Sequence, residues 1–429
     1  MCNQPRSVSP RGEVTMLSVE MAMEEFLRNV DVLGAEERPI LECLGQVLAA
    51  DVYANIDVPQ HNNSAMDGYA LQSSDTRGAS LQRPKLLRVI ETVAAGHMAK
   101  KTVSRGMAIR IMTGAPIPPG ADSVVRFEDT DEICRQQPSA EIAICQEVSV
   151  GFNVRLAGED IAKGNKALSA GMLIRPPEVG VLASLGLASV KVIRRPKVAI
   201  LSTGDEISDI TEPLVSGKIY NSNTYSLAAL IKSYGGVPIV LGVANDNEDS
   251  LLAKINQGLD ADLLLTSGGI NTGDYDLVKT FLAKHGSIRF SSVRMKPGKP
   301  LAFGTIKGTN DGGVSKVIPY FGLPGNPVSC MVTCEVFVRP AILKMLGQKN
   351  LFKPTVEATM QDAKIKTNGT RTFARANVEK KEGGYVVRLT SHQKSGMLIS
   401  MSLANGLIVI PESENEVRTG DKVQVMLLD

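Results

Sequence analysis

Apolar and polar positions change rhythm several times along this chain, and each change marks an element or a domain. After Ser18, the run VEMAMEEFLRNV places Val19, Met23, Phe26 and Leu27 on one side of a helix, with the serine as its N-cap. A second helical rhythm covers 40–50. From 51 to 145 the texture changes to short β-favouring runs at 86–93, 107–112, 123–128 and 140–148, divided by Gly, Pro, Asn and Asp turns. Residues 151–180 are turn-rich and end in Arg175-Pro176-Pro177. A helix over 178–187 and a hinge at Arg194-Arg195-Pro196 follow.

Between 197 and 346 strand and helix signals alternate. Strands are expected at 198–201, 237–243, 263–266 and 317–321, and helices at 224–233, 247–259, 275–285 and 328–346. This alternation predicts a mostly parallel, doubly wound α/β sheet. GTNDGG at 308–313 is strong turn chemistry and would join 301–305 to 315–318 as a hairpin. The residues after about 353 return to short strands with Gly turns, which suggests a small β-barrel or sandwich.

Composition narrows the class without naming a function. At 429 residues the chain exceeds a single core and should form about three or more domains. A net charge of +2 gives no argument for nucleic acid or a membrane surface as partner. No segment approaches the ~20 apolar residues of a membrane span. The N-terminal MCNQPRSVSPRGEV lacks an apolar core and reads as a disordered tail, not a signal peptide. Cys2, Cys43, Cys134, Cys145, Cys330 and Cys334 form no CxxC pair, and they read as buried thiols of a cytoplasmic protein. His61, His97, His285 and His392 are scattered and make no metal-ligand cluster.

The chemistry concentrates in loops that leave strands of the α/β unit at their carboxyl ends, where open sheets bind ligands. The first is Ser202-Thr203-Gly204-Asp205-Glu206. The second is Ser267-Gly268-Gly269, continuing to Gly273 and the acidic Asp274-Tyr275-Asp276. The third is Gly322-Leu323-Pro324-Gly325-Asn326-Pro327-Val328-Ser329. Amide donors beside carboxylates suit a phosphate held together with a hard cation such as Mg²⁺. Lys296 and Lys299, in the Pro-fixed turn MKPGKP, add two point charges for phosphate or another oxyanion. No G-x-G-x-x-G or Walker A loop is present. Two further stretches, around Asp67 and around Thr113, read locally as ordinary turns.

Taken together, SAMDGYA, IMTGAPIPPGAD, GFNVRLAGEDI, LSTGDEI, IYNSN, SGGINTGDYD, MKPGKP and GLPGNPVS resemble, in order, the molybdopterin molybdenumtransferases. These are the molybdenum-insertion enzymes of molybdenum-cofactor synthesis, similar to the C-terminal domain of gephyrin. The tail is expected over 1–16, outside the resemblance, which implies a split N-terminal domain over 17–50 and 146–180 and a β-rich insert over 51–145. An α/β molybdopterin-binding domain over 181–346 and a C-terminal β-barrel over 347–429 complete the expected architecture. It implies a homodimer in which adenylylated molybdopterin receives molybdate and loses AMP, with Mg²⁺ and with the pathway's adenylyltransferase as a partner enzyme.

On the matching positions, the resemblance gives catalytic duty to Asp67, Thr113, Asp276, Lys296 and Lys299. Substrate binding falls to Ser202, Thr203, Gly204, Ser267, Gly268, Gly269, Pro324, Gly325, Asn326, Pro327 and Ser329. Metal binding falls to Asp205, Glu206, Asp274 and Asp276, and Arg294 is expected to add charge near MKPGKP. The competing readings are a molybdopterin adenylyltransferase and a gephyrin-like scaffold without catalysis.

Overall fold

The computed structural model describes residues 16–134, 139–269, 282, 284–309, 315–362, 364–390 and 392–428. The chain divides into two compact units. One comprises Met1–Glu36, Gly45–Val47 and Val192–Asp429, and the other Glu37–Leu44 and Leu48–Lys191.

The first unit is built on a six-stranded sheet. Its strands are β1 (Lys197–Thr203), β2 (Val237–Ala244), β3 (Leu263–Ser267), β4 (Gly286–Ser292), β5 (Pro300–Thr309) and β6 (Ser315–Leu323). They lie in the order β2-β1-β3-β6-β5-β4. The four strands β2, β1, β3 and β6 pair in parallel, and β5 and β4 add on antiparallel. All five residues of β3 are buried, as a strand covered on both faces requires. β5 and β6 form the expected hairpin.

Helix α1 (Val19–Arg28) belongs to the core of this unit. Ser18 caps it, its hydroxyl accepting the Met21 N–H. Phe26 is fully buried, and its ring meets those of Phe303 and Phe321 edge-on at 4.8 and 3.7 Å between centroids. Burying such a ring stabilises by about 2–3 kcal/mol, and the edge-on geometry adds about 1 kcal/mol. Helices α2 (Ser222–Ser233) and α3 (Glu248–Asn256) start at the caps Asn221 and Asn247. The helical run after β6 comprises α4 (Pro327–Thr333), a wide π-turn over Cys334–Val338 and α5 (Arg339–Met345). Pro340 has no N–H to return to the preceding turn, which accounts for the local widening.

The end of the chain closes a barrel. Its strands are β7 (Thr355–Met360), β8 (Arg371–Lys381), β9 (Gly384–Leu389), β10 (Gly406–Ile410) and β11 (Lys422–Leu427). β8 pairs with both β9 and β10, and β9, β7, β11 and β10 complete the ring. Met295 and Lys296 pair in parallel with Arg371 and Thr372, so the MKPGKP turn is fastened to β8.

The second unit carries a five-stranded sheet in the order 123–126, 68–71, 107–111, 85–93, 141–144. Tyr69 and Leu71 enter one core and Ala70 the other, the period of two that a strand imposes. The helix expected over 40–50 is reduced to the single turn Ile40–Glu42, because Gly45 adopts φ 78° and ends it. The helix expected over 178–187 runs instead over Pro176–Ser184. The helix expected over 275–285, and with it Asp274 and Asp276, falls largely outside the described residues. Among those residues no helix is long and apolar enough to cross a membrane.

Candidate functional site

Three of the parallel strands deliver their loops to one crevice of about 330 Å³. Ser202, Thr203 and Glu206 come from the end of β1, Ser267 and Gly268 from the end of β3, and Pro324–Pro327 from the turn after β6. The start of α2 closes the side with Asn221, Ser222 and Asn223. Most of the polar groups here hold the loops in place. Ser202 Oγ donates to Asn221 Oδ1 at 3.0 Å and lies 2.8 Å from Thr224 Oγ1. Asn223 Nδ2 donates to Ser267 Oγ and to the Gly325 carbonyl, each at 2.7 Å, and so ties the second loop to the third.

Gly268 is where this packing demands glycine. Its φ is 91°, and a Cβ there would sit 2.5 Å from the Thr203 carbonyl oxygen. Its N–H, expected to hold a phosphate, instead donates to the Leu323 carbonyl at 3.1 Å. The Gly268 amide therefore continues the sheet and is not an anion donor.

The cations occupy a neighbouring cavity of about 780 Å³, which shares Pro300 with the crevice. Lys296, Lys299 and Ser329 line it from the α/β side, and Lys366, Arg375 and Lys394 from the barrel. Arg375 is the unusual member, at 1% exposure. Its Nε donates to Ser400 Oγ at 3.0 Å, and its Nη2 to the carbonyls of His392 and Lys394 at 3.2 and 3.1 Å. Every one of these acceptors is neutral, and burial pushes the guanidinium below its usual pKa. Among the described residues no carboxylate pairs with Arg375 or with any of the four lysines. Arg294 is exposed and lines neither cavity.

In the second unit, antiparallel register brings Asp67 beside Thr113, since Gly68 lies opposite Ile111. The Asp67 carboxylate takes the Thr113 N–H at 2.7 Å and its hydroxyl at 2.9 Å. These bonds, with the nearby Arg110 charge, hold its pKa below the ordinary aspartate value. Asp67 is an exposed, ionised carboxylate in a fixed pose.

Three family models match in succession. They are the MoeA N-terminal region (domain I and II) over 17–186, the probable molybdopterin binding domain over 199–344, and the MoeA C-terminal region (domain IV) over 357–428. The molybdopterin molybdenumtransferase 2 of Mycobacterium tuberculosis is 36% identical over 395 residues, covering 90% of this chain and 93% of its own length. The chain belongs to the molybdopterin molybdenumtransferase family.

The molybdopterin molybdenumtransferase of Staphylococcus aureus is 32% identical over 415 residues and covers 96% of both chains. A solved molybdopterin biosynthesis MoeA protein of Pyrococcus horikoshii superposes with a TM-score of 0.79 at 33% identity. That match spans 97% of this chain and 100% of the solved one.

On this molybdenumtransferase scaffold the expected substrate residues Ser202, Thr203, Ser267, Gly268, Pro324, Gly325, Asn326 and Pro327 meet in the crevice. Ser329, Lys296 and Lys299 meet in the cationic cavity instead. Of the four expected metal ligands, Asp274 and Asp276 lie outside the described residues. Asp205 Oδ1 accepts the Asp246 N–H at 3.1 Å, and Glu206 lines the crevice. Among the described residues no three acidic, histidine or cysteine side chains converge, so these alone do not cage a cation.

Reading the sequence missed Lys366, Arg375 and Lys394. The available signal was Arg375 itself, an arginine set within the apolar run Phe373-Ala374-Arg375-Ala376 of a strand.

Proposed function

We propose that this chain inserts molybdate into adenylylated molybdopterin, cleaving the pyrophosphate linkage and releasing molybdenum cofactor and AMP. The observation that carries this reading is Arg375. A buried cation without a counter-charge costs several kcal/mol, and the four lysines sharing its cavity raise the local potential further. A multiply charged oxyanion is the ligand that offsets such a site. Molybdate is a dianion, and the pyrophosphate of the second substrate carries further negative charge.

In this reading the crevice takes the organic part of the nucleotide substrate, and the cavity takes the oxyanions. Lys296 and Lys299 act from exposed stems as point charges that follow the phosphoryl oxygens as charge shifts between them. Asp205, Glu206, Asp274 and Asp276 are the proposed ligands of a Mg²⁺ ion, which would polarise the phosphoryl group. We further propose a homodimer in which Asp67 of the partner subunit and Thr113 of the partner subunit complete the site. Their support is the fixed, ionised pose of this carboxylate on an exposed loop.

The test is AMP release from adenylylated molybdopterin in the presence of molybdate, with Lys296→Ala and Lys299→Ala combined in one variant. The expected result is a loss of at least a hundredfold with an unchanged melting temperature. Asp276→Ala is expected to abolish release as well. Undiminished AMP release in both variants would overturn the site, and ATP-dependent adenylylation of molybdopterin by the wild type would replace the reaction.

A further inference from the structure

Two buried oxygens in the crevice have nothing to bond. Thr203 Oγ1 and Asn223 Oδ1 belong to side chains 7% and 9% exposed, both line the crevice, and neither has a hydrogen-bond partner. Buried side-chain oxygens in folded proteins are nearly always satisfied, so an exception asks for an explanation. Two exceptions on residues that line one cavity ask for the same one.

The orientation of Asn223 is fixed by its neighbours. The Gly325 carbonyl can only accept, so the amide nitrogen must face it at 2.7 Å, and that nitrogen also reaches Ser267 Oγ. The amide oxygen is thereby turned away from both loops and left as a pure acceptor. Thr203 ends β1, and its hydroxyl can donate or accept. Among the described residues no lysine or arginine lines this crevice, Glu206 is its one charged side chain, and Ile207, Ile219, Tyr220 and three prolines give it flat apolar walls. Neutral polar atoms and one carboxylate between apolar walls, with no cation beside them, suit a planar heterocycle with N–H donors better than a phosphate.

We infer that Asn223 and Thr203 read the amino-bearing edge of such a ring. Asn223 Oδ1 accepts from an exocyclic N–H, and the Thr203 hydroxyl bonds the adjoining ring nitrogen. The inference rests on the proposed reaction, whose substrate carries two rings of this chemistry, an adenine and a pterin. An analogue with a carbonyl in place of the amino group would set two acceptors against each other and be rejected.

The experiment measures binding to the full-length chain by titration calorimetry, with AMP against IMP and pterin against lumazine. Each pair differs by an amino group replaced with a carbonyl. The expected result is at least tenfold tighter binding of the amino member in one pair. Preference within the AMP pair assigns the adenine, and preference within the pterin pair assigns the pterin. Thr203→Val removes an oxygen that no protein group uses, so it should keep the melting temperature while weakening the preferred ligand at least fivefold. Asn223→Ala should abolish the preference itself.

Equal or undetectable binding within both pairs overturns the inference, as does wild-type affinity in Thr203→Val. AMP release by the wild type, measured on the same preparation, separates the two readings. Release without amino discrimination overturns the heterocycle assignment alone, whereas absent release overturns the proposed reaction.

Discussion

The Asp67 carboxylate receives two hydrogen bonds from a single residue, Thr113, one from its backbone N–H and one from its hydroxyl. The second can be removed alone. In Thr113→Val the Asp67 pKa should rise toward its ordinary value, since a bond to the ionised form is lost. The acid limb of the pH profile of kcat/KM should move to higher pH, and activity near neutrality should fall about tenfold. For stability the sign is the same. A depressed pKa contributes above the unfolded-state value, and the contribution disappears as pH falls through the folded-state value. An acid limb that does not move would remove Asp67 from the reaction.

Arg375→Met tests the buried cation. The His392 and Lys394 carbonyls and the Ser400 hydroxyl would lose their donor, at a cost of about 2–4 kcal/mol in stability. The molybdate concentration for half-maximal AMP release should rise more than tenfold. Arg375→Lys should recover part of the charge but not the fork of donors that the loop 392–395 is built around. A molybdate dependence identical to wild type in both variants would place the oxyanion elsewhere.

Gly68→Ala is expected to damage the second unit severely. A Cβ at this position would lie 2.0 Å from the Val125 carbonyl oxygen and 2.8 Å from its carbon, both rigid backbone atoms. The strand 68–71 sits between two neighbours and cannot shift aside. A loss of about 3 kcal/mol or more is expected by thermal or denaturant unfolding. A variant as stable as wild type would show that this strand pairing is not the native one.

Glu178 closes the first turn of the helix Pro176–Ser184. Its Oε2 accepts the Arg175 N–H at 2.9 Å, and Oε1 the Arg175 guanidinium at 2.7 Å. The Arg175 side chain is the main cause of a pKa held down to about 2. Glu178→Gln should therefore cost about 1 kcal/mol near neutral pH, as cap losses usually do. That difference should shrink as pH falls below 4.5 toward 2, where the wild-type carboxylate protonates. Unfolding curves of both proteins across that range decide it.

The thiols should separate by burial. Cys43, Cys330 and Cys334 are buried as the sequence suggests, whereas Cys134 is exposed and Cys145 half-buried. Burial pushes the Cys330 thiol up to about 12. In native protein an alkylating reagent should label Cys134 first among these five and Cys330 only on unfolding. Peptide mass mapping after timed labelling reads the order.

The α/β unit was legible because its buried strands are uninterrupted apolar runs ending in glycine-rich loops, a pattern local in sequence. For the same reason Ser202, Ser267 and Pro324 can be placed at one sheet edge from the sequence pattern alone. The duties of individual atoms were not legible. The amide of Gly268 looked free because its acceptor, Leu323, lies fifty-five residues away in the chain. The cationic cavity escaped notice because half its wall comes from β8 and from the loop 392–397, where Arg375 and Lys394 follow ordinary strand and turn patterns. Only barrel closure, together with the pairing of Lys296 to Thr372, carries those residues to the lysines of MKPGKP.

That pairing makes the cation cluster a joint product of two parts of the chain. The α/β unit supplies two of the five cations, Lys296 and Lys299, and the barrel three, and the pairs Met295 with Arg371 and Lys296 with Thr372 fasten the two walls together. Without the barrel the crevice would keep all of its lining residues, whereas the cavity would lose Lys366, Arg375 and Lys394. On the proposed function, the organic part of the substrate would then keep its site while the oxyanion lost most of its cations. Under that proposal a lesion that loosens the barrel should weaken oxyanion binding while leaving the α/β crevice intact.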